Sequence, residues 1–209
     1  VENLRAGYQV MVFVHSRKQT ISLAKSFAGE AQKRHLLPLF TPSTINQDAL
    51  KRGNSLQGRD LASLFRQGLC CHHAGLTRYD RTTVENLFRE GQFRVLICTA
   101  TLAWGVNLPA HTVIIRGTEV YDPKRGGHVP ISVLDVMQIF GRAGRPQYDT
   151  SGHGIIISDV KQINYYLGLI AHALPIESKF QLKLCDHLNA EVHAGSISST
   201  ADALKWLEY

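Results

Sequence analysis

The apolar positions of this chain alternate between short unbroken runs and longer spaced stripes. Residues 9–15, with Val10, Met11, Val12, Phe13 and Val14 in a row, have the pattern of a strand buried on both faces of a parallel sheet. The next apolar positions, Ile21, Leu23, Ala24, Phe27, Ala28 and Ala31, recur at helical spacing. Residues 38–60 carry two prolines and show no steady period, which reads as a long connection or insertion. Leu61, Leu64 and Phe65 then suggest a short helix before Gly68.

A second strand is expected at Leu69–His72, with a tight exit at His73-Ala-Gly75. Thr77 and Asp80 have capping-box character and open a helix through Val84, Leu87 and Phe88, closed by Gly91. Residues 95–98, 112–115 and 154–158 give three more strands. Ser132 and Asp135 cap a helix whose stripe is Val136, Met137 and Phe140, and residues 165–174 form another. Between residues 117 and 130, two short extended pieces flank Asp122-Pro-Lys-Arg-Gly-Gly127, the chemistry of a β-hairpin turn.

Strands alternating with helices predict an α/β domain, a parallel sheet covered by helices on both faces. From residue 176 the pattern changes. Phe180, Leu184 and Leu188, then Leu204 and Leu207, sit on two amphipathic helices with no strand between them. So short a segment buries little core alone, so residues 1–175 read as one domain and 176–209 as the start of another.

Composition adds limits. The apolar share is 44%, enough for a packed core, and no apolar segment is long enough to span a membrane. The first residues lack a secretion-signal pattern. The four cysteines, without Cys-x-x-Cys spacing, read as buried free thiols. A formal charge of +6 is compatible with a polyanionic partner but does not establish one.

The most telling chemistry lies at Gln138-Ile-Phe-Gly-Arg142-Ala-Gly-Arg145. Two arginines each follow a glycine near a helix end, and guanidinium forks match phosphate oxygens. Elsewhere the residues leave alternatives open. His15 and Ser16 could contact phosphate or ribose at a strand's carboxyl end, or simply cap the next helix. Arg78 and Arg81 are suited to a solvated face or to phosphate. His72 and His73 lack the partners a metal site requires, so no metal site is expected. Thr99 and Thr101 offer hydroxyls suited to holding a sugar-phosphate backbone.

Taken together, these segments resemble the carboxyl-side RecA-like domain of a superfamily 2 helicase. Residues 12–17 are similar to motif IV, His73-Ala-Gly75 to the element after it, residues 99–109 to motif V, and Gln138 to Arg145 to motif VI. The stretches Thr99 to Ala110, Gly141 to Gln147 and Leu188-Asn-Ala-Glu191 resemble the Ski-like branch, in particular its large two-cassette members. Residues 133–147 look like the amino-terminal cassette of those proteins.

The resemblance implies ATP-dependent 3′→5′ unwinding of DNA or RNA carrying a single-stranded 3′ tail. Arg142 and Arg145 would be arginine fingers on the γ-phosphate, and Gln138 would place the phosphates or attacking water. Gly105 and Asn107 would face the nucleotide. His15, Ser16, Arg17, His73, Gly75, Thr99 and Thr101 would lie along the tracked strand. The 117–130 hairpin matches the branch's strand-separating hairpin, with Lys124 and Arg125 near its tip; a plain solvent-facing loop is the other reading. The tail matches the first helices of a winged-helix domain.

The chain contains no Gly-x-x-x-x-Gly-Lys-[Ser/Thr] and no adjacent Asp-Glu pair. The resemblance therefore places the ATP cradle and Mg²⁺ ligands on a preceding RecA-like domain of the same polypeptide, and this fragment alone is expected to be inactive. It further implies a multiprotein complex in the nucleus and also the cytoplasm, with roles in alkylation repair and stalled-ribosome rescue or in spliceosome remodelling. Two other classes remain: a hydrolysis-dead scaffold for proteins, and a passive nucleic-acid-binding module.

Overall fold

The computed structural model describes all residues except 123–124, 145–148, 172–177, 179 and 209. In order, the elements are α1 (Glu2–Arg5), β1 (Val10–Val14), α2 (Arg17–Lys33), α3 (Gln47–Asn54), α4 (Leu61–Arg66), β2 (Leu69–His72), α5 (Arg78–Arg89), β3 (Val95–Thr99), α6 (Thr101–Gly105) and β4 (Thr112–Arg116). The hairpin strands β5 (Glu119–Asp122) and β6 (Gly127–Pro130) follow, then α7 (Val133–Phe140), β7 (His153–Ile157), α8 (Val160–Ala171), α9 (Leu184–Ala194) and α10 (Thr200–Leu207). The chain packs as two units, Val1–Tyr165 and Tyr166–Tyr209.

Five strands form one parallel sheet in the order β2-β3-β1-β4-β7. This is the parallel α/β sheet that the alternating pattern predicts, and the RecA-like architecture that the resemblance implies. β1 lies in the middle, and every one of its residues is buried, as its unbroken apolar run requires. Edge strand β7 carries three successive isoleucines, yet Ile155 and Ile157 are 40% and 53% exposed. Several helices start on side-chain caps. Ser16 Oγ accepts from Gln19 N at 3.2 Å, Thr77 Oγ1 from Asp80 N at 3.1 Å, and Ser132 Oγ from Asp135 N at 3.1 Å.

Three details depart from the sequence reading. The stretch 38–60 contains helix α3, which buries small residues, Ala49 and Gly53, instead of an apolar stripe. A Cβ on Gly53 would stand 2.1 Å from the Phe65 ring, so this helix packs closely only because the position is glycine. Asp80 completes no reciprocal capping box; its carboxylate, 1% exposed, accepts from Gln57 N at 2.8 Å and Gly58 N at 3.1 Å and so ties down that same stretch. Cys70, Cys71 and Cys98 are buried free thiols, but Cys185 on α9 is exposed. Burial pushes the Cys71 thiol up to about 12.

In the second unit the aromatic ring of Phe180 stacks on His187 at 5.3 Å and tilts against Trp206 at 5.5 Å, joining α9 to α10. Among the described residues, no helix is long and apolar enough to cross a membrane.

Candidate functional site

Because the five strands are parallel, their carboxyl ends share one rim, and several candidate residues line it. At the end of β1, His15 Nε2 lies 2.6 Å from Gly117 O, and Ser16 caps α2. Helix cap and rim position thus coincide in Ser16. At the end of β2, the buried His73 ring accepts from Gly75 N at 3.1 Å, and the Arg17 side chain lies against that turn. Burial, then the neighbouring Arg17 guanidinium, hold the His73 imidazole below its ordinary pKa. The adjacent His72 instead pairs with Glu85, Nε2 to Oε1 at 2.7 Å. At the end of β3, the hydroxyls of Thr99 and Thr101 lie 2.9 Å apart.

β4 runs into the hairpin, whose register pairs Tyr121 with His128 and Asp122 with Gly127. Both Tyr121 and His128 are exposed, with ring centroids 5.7 Å apart. Arg125 is solvent-facing, its side chain 75% exposed and 3.8 Å from Asp122. Lys124 lies outside the described residues. A polar cavity of about 430 Å³ opens at the foot of the hairpin, with His15, Gln19, Arg116, His128 and Asp159 among its walls. Arg116 directly follows the strand expected at 112–115 and is not singled out by the sequence; only the fold shows that it joins this cavity.

The arginine turn lies at the opposite end of the sheet. α7 descends from the hairpin side, and the chain turns at Gly141, with Arg142 N donating to Ile139 O and Ala143 N to Phe140 O. Ala110, just before β4, then forms an isolated parallel bridge with Ala143. Ala110 N donates to Arg142 O at 2.9 Å, and Gly144 N to Ala110 O at 2.8 Å. Gly144 has φ +86°, a conformation that favours glycine. α7 spans eight residues, about 12 Å at the rise of an α-helix.

Arg142 is half-buried. Its Nη1 donates to Asn107 Oδ1 at 3.3 Å and its Nη2 to the carbonyl of Ala103. The fold thus brings together Arg142 and Asn107, candidates far apart in sequence. A Cβ on Gly105 would meet nothing within 4 Å, so its surroundings are open. Gln138 sits half-buried one turn earlier on α7. Arg145 lies outside the described residues. Among the described residues, both partners of the Arg142 side chain are neutral oxygens, so its charge remains available to an anion; that donor set fits a phosphate. Among the described residues, no three or more His, Cys, Asp or Glu gather into a metal-binding group.

The helicase conserved C-terminal domain family matches residues 54–147. Across the whole chain, activating signal cointegrator 1 complex subunit 3 of Dictyostelium discoideum is 49% identical, with 9% of that protein's length covered. DExH-box ATP-dependent RNA helicase DExH14 of Arabidopsis thaliana is 50% identical, with 10% covered. RQC trigger complex helicase SLH1 of Saccharomyces cerevisiae is 46% identical, with 11% covered. The chain therefore spans about a tenth of the length of these relatives. With the order of the motifs and the sheet that carries them, this similarity makes the chain a carboxyl-side RecA-like domain of the Ski-like superfamily 2 helicases.

Proposed function

We propose that this domain is the second half of an ATP-dependent 3′→5′ helicase motor, completed by a preceding RecA-like domain that supplies the phosphate cradle and the Mg²⁺ ligands. The observation that carries this reading is Arg142, a half-buried guanidinium held in place by a carbonyl and an amide oxygen. Such a group is pre-oriented and still positive, the condition for stabilising charge on a transferring phosphoryl group. In this reading Arg142 and Arg145 act on the γ-phosphate, Gln138 orients phosphates or water, and Asn107 links Arg142 to the segment that begins at Thr99. Thr99, Thr101, Ser16 and Arg17 grip phosphates of one strand, with His15, His73 and Gly75 shaping that surface. The hairpin meets the duplex.

Backbone grips tolerate any sequence, so binding should weaken steeply with salt. The substrate is a DNA or RNA duplex with a 3′ tail. Residues 176–209 would begin a winged-helix domain. The setting we propose is a multisubunit complex of the cointegrator type, nuclear and also cytoplasmic, acting in alkylation repair and ribosome rescue. The test is Arg142→Ala in the full-length protein: turnover should fall by roughly 10³-fold or more, the scale of arginine-finger losses, with ATP binding retained. Near-normal turnover would end this reading.

A further inference from the structure

The loop carrying the arginines leaves and rejoins the sheet at two successive residues. Outbound, Ala110 exchanges backbone hydrogen bonds with Arg142 and Gly144; inbound, His153 N donates to His111 O at 2.9 Å. The two arms touch at the neck, where a Cβ on Gly152 would lie 2.6 Å from Gly144 N and 2.7 Å from Ala143 C. Inside the neck, the imidazole of His111 faces the carboxylate of Asp149, Nδ1 to Oδ2 at 3.6 Å. Both side chains are almost fully buried, 4% and 1% exposed. Tyr8 stacks on the imidazole, ring centroids 3.6 Å apart and 10° from parallel, and the His153 ring lies 5.1 Å away.

A buried carboxylate opposite a buried imidazole is costly to desolvate, so apolar side chains of the same volume would hold a loop at least as well. What a polar pair adds is direction: it fixes one arrangement of the loop over others. His111 is covalently next to Ala110, whose N–H and carbonyl hold both sides of the arginine turn.

We infer that His111 and Asp149 are positioning residues for Arg142: Asp149 fixes the returning arm against His111, and Ala110 passes that placement to the arginine. This rests on the nucleotide role proposed above for Arg142. Neither residue touches the nucleotide.

The test uses the full-length helicase, with steady-state ATPase measured at saturating single strand. Asp149→Asn should lower kcat by about tenfold and leave KM for ATP within about twofold, the signature of a contact made in the transition state. Added to Arg142→Ala, it should lower kcat no further, because residues acting as a unit are non-additive. A wild-type kcat in Asp149→Asn, or a full additional loss in the Arg142→Ala background, overturns the positioning role. Near-normal turnover in Arg142→Ala itself brings down the nucleotide reading and this inference with it, and that arm alone reports it. Should Asp149→Asn fold poorly, the paired change His111→Phe with Asp149→Leu replaces the polar contact by apolar volume. A wild-type melting temperature with reduced kcat supports positioning; both at wild-type level refute it.

Discussion

At the amino end of the sheet and at its carboxyl rim, similar polar side chains are held by different means. The arginine turn is stitched by backbone: a bridge between Ala110 and Ala143, flanking amide bonds, and a neck where Gly152 and Gly144 nearly touch. The rim residues are held one at a time, Ser16 by its cap, His15 by the Gly117 carbonyl, Thr99 by its neighbour Thr101. The hairpin beyond the rim rests on a four-pair ladder, with Gly117 N bonded to Ile157 O and Ile131 N to Thr118 O at its foot. Transition-state charge calls for a fixed donor, because a group that must reorganise loses much of its electrostatic advantage. A grip that releases and retakes a strand calls for many weak, separate contacts.

The comparison can be broken at its rigid end first. Gly152→Ala forces a Cβ into backbone at the neck; overpacking of this kind costs about 1–3 kcal/mol. Turnover in the full-length helicase should drop more than tenfold while strand affinity, measured by fluorescence anisotropy, holds within about twofold. Equal losses in both would mean the two ends are not separable. Removing residues 122–127 should reverse the pattern, with unwinding down by about tenfold and strand-stimulated ATPase within about twofold, since Arg142 is held by Asn107 and Ala103 and not by the hairpin.

Smaller changes sharpen the contrast. Ser16→Ala should cost about 1 kcal/mol of stability as a lost helix cap, seen as a lower melting temperature, and weaken strand binding if the same hydroxyl also holds phosphate. Arg125→Ala should reduce the slope of log affinity against log salt by about one if that side chain meets a phosphate. The His73 effect is the smallest. Its imidazole titrates below the ordinary histidine value when folded, so the unfolded chain takes up the proton first. Stability from this group is present above about pH 6.5 and declines as pH falls through the lower folded value. Acid melting curves of His73→Gln should be flatter than wild type across that window.

Much of the fold was legible because each strand is either a continuous apolar run or ends in recognisable turn chemistry. α3 was not, because its buried face is Ala49 and Gly53 and gives no stripe for periodicity to detect. α6 is a single turn, too short to show a period. At the site, residue type announced Arg142 and the family resemblance announced Asn107, but nothing in their spacing announced that they meet. The Ala103 carbonyl that also holds Arg142 is backbone, which any residue would supply. His111 and Asp149 carried no motif at all; two parts of the chain had to be brought together before the pair existed.

The strand order has one more consequence, for synthesis. β1 is made before both its neighbours, β3 and β4, with Val10 set against Val95 on one side and Thr112 on the other. A ribosome adding roughly 5–20 residues per second leaves this strand without either neighbour for several seconds or more. Five consecutive large apolar side chains then wait in the nascent chain, and a chaperone that covers them during that interval would meet this domain before the domain's own sheet can.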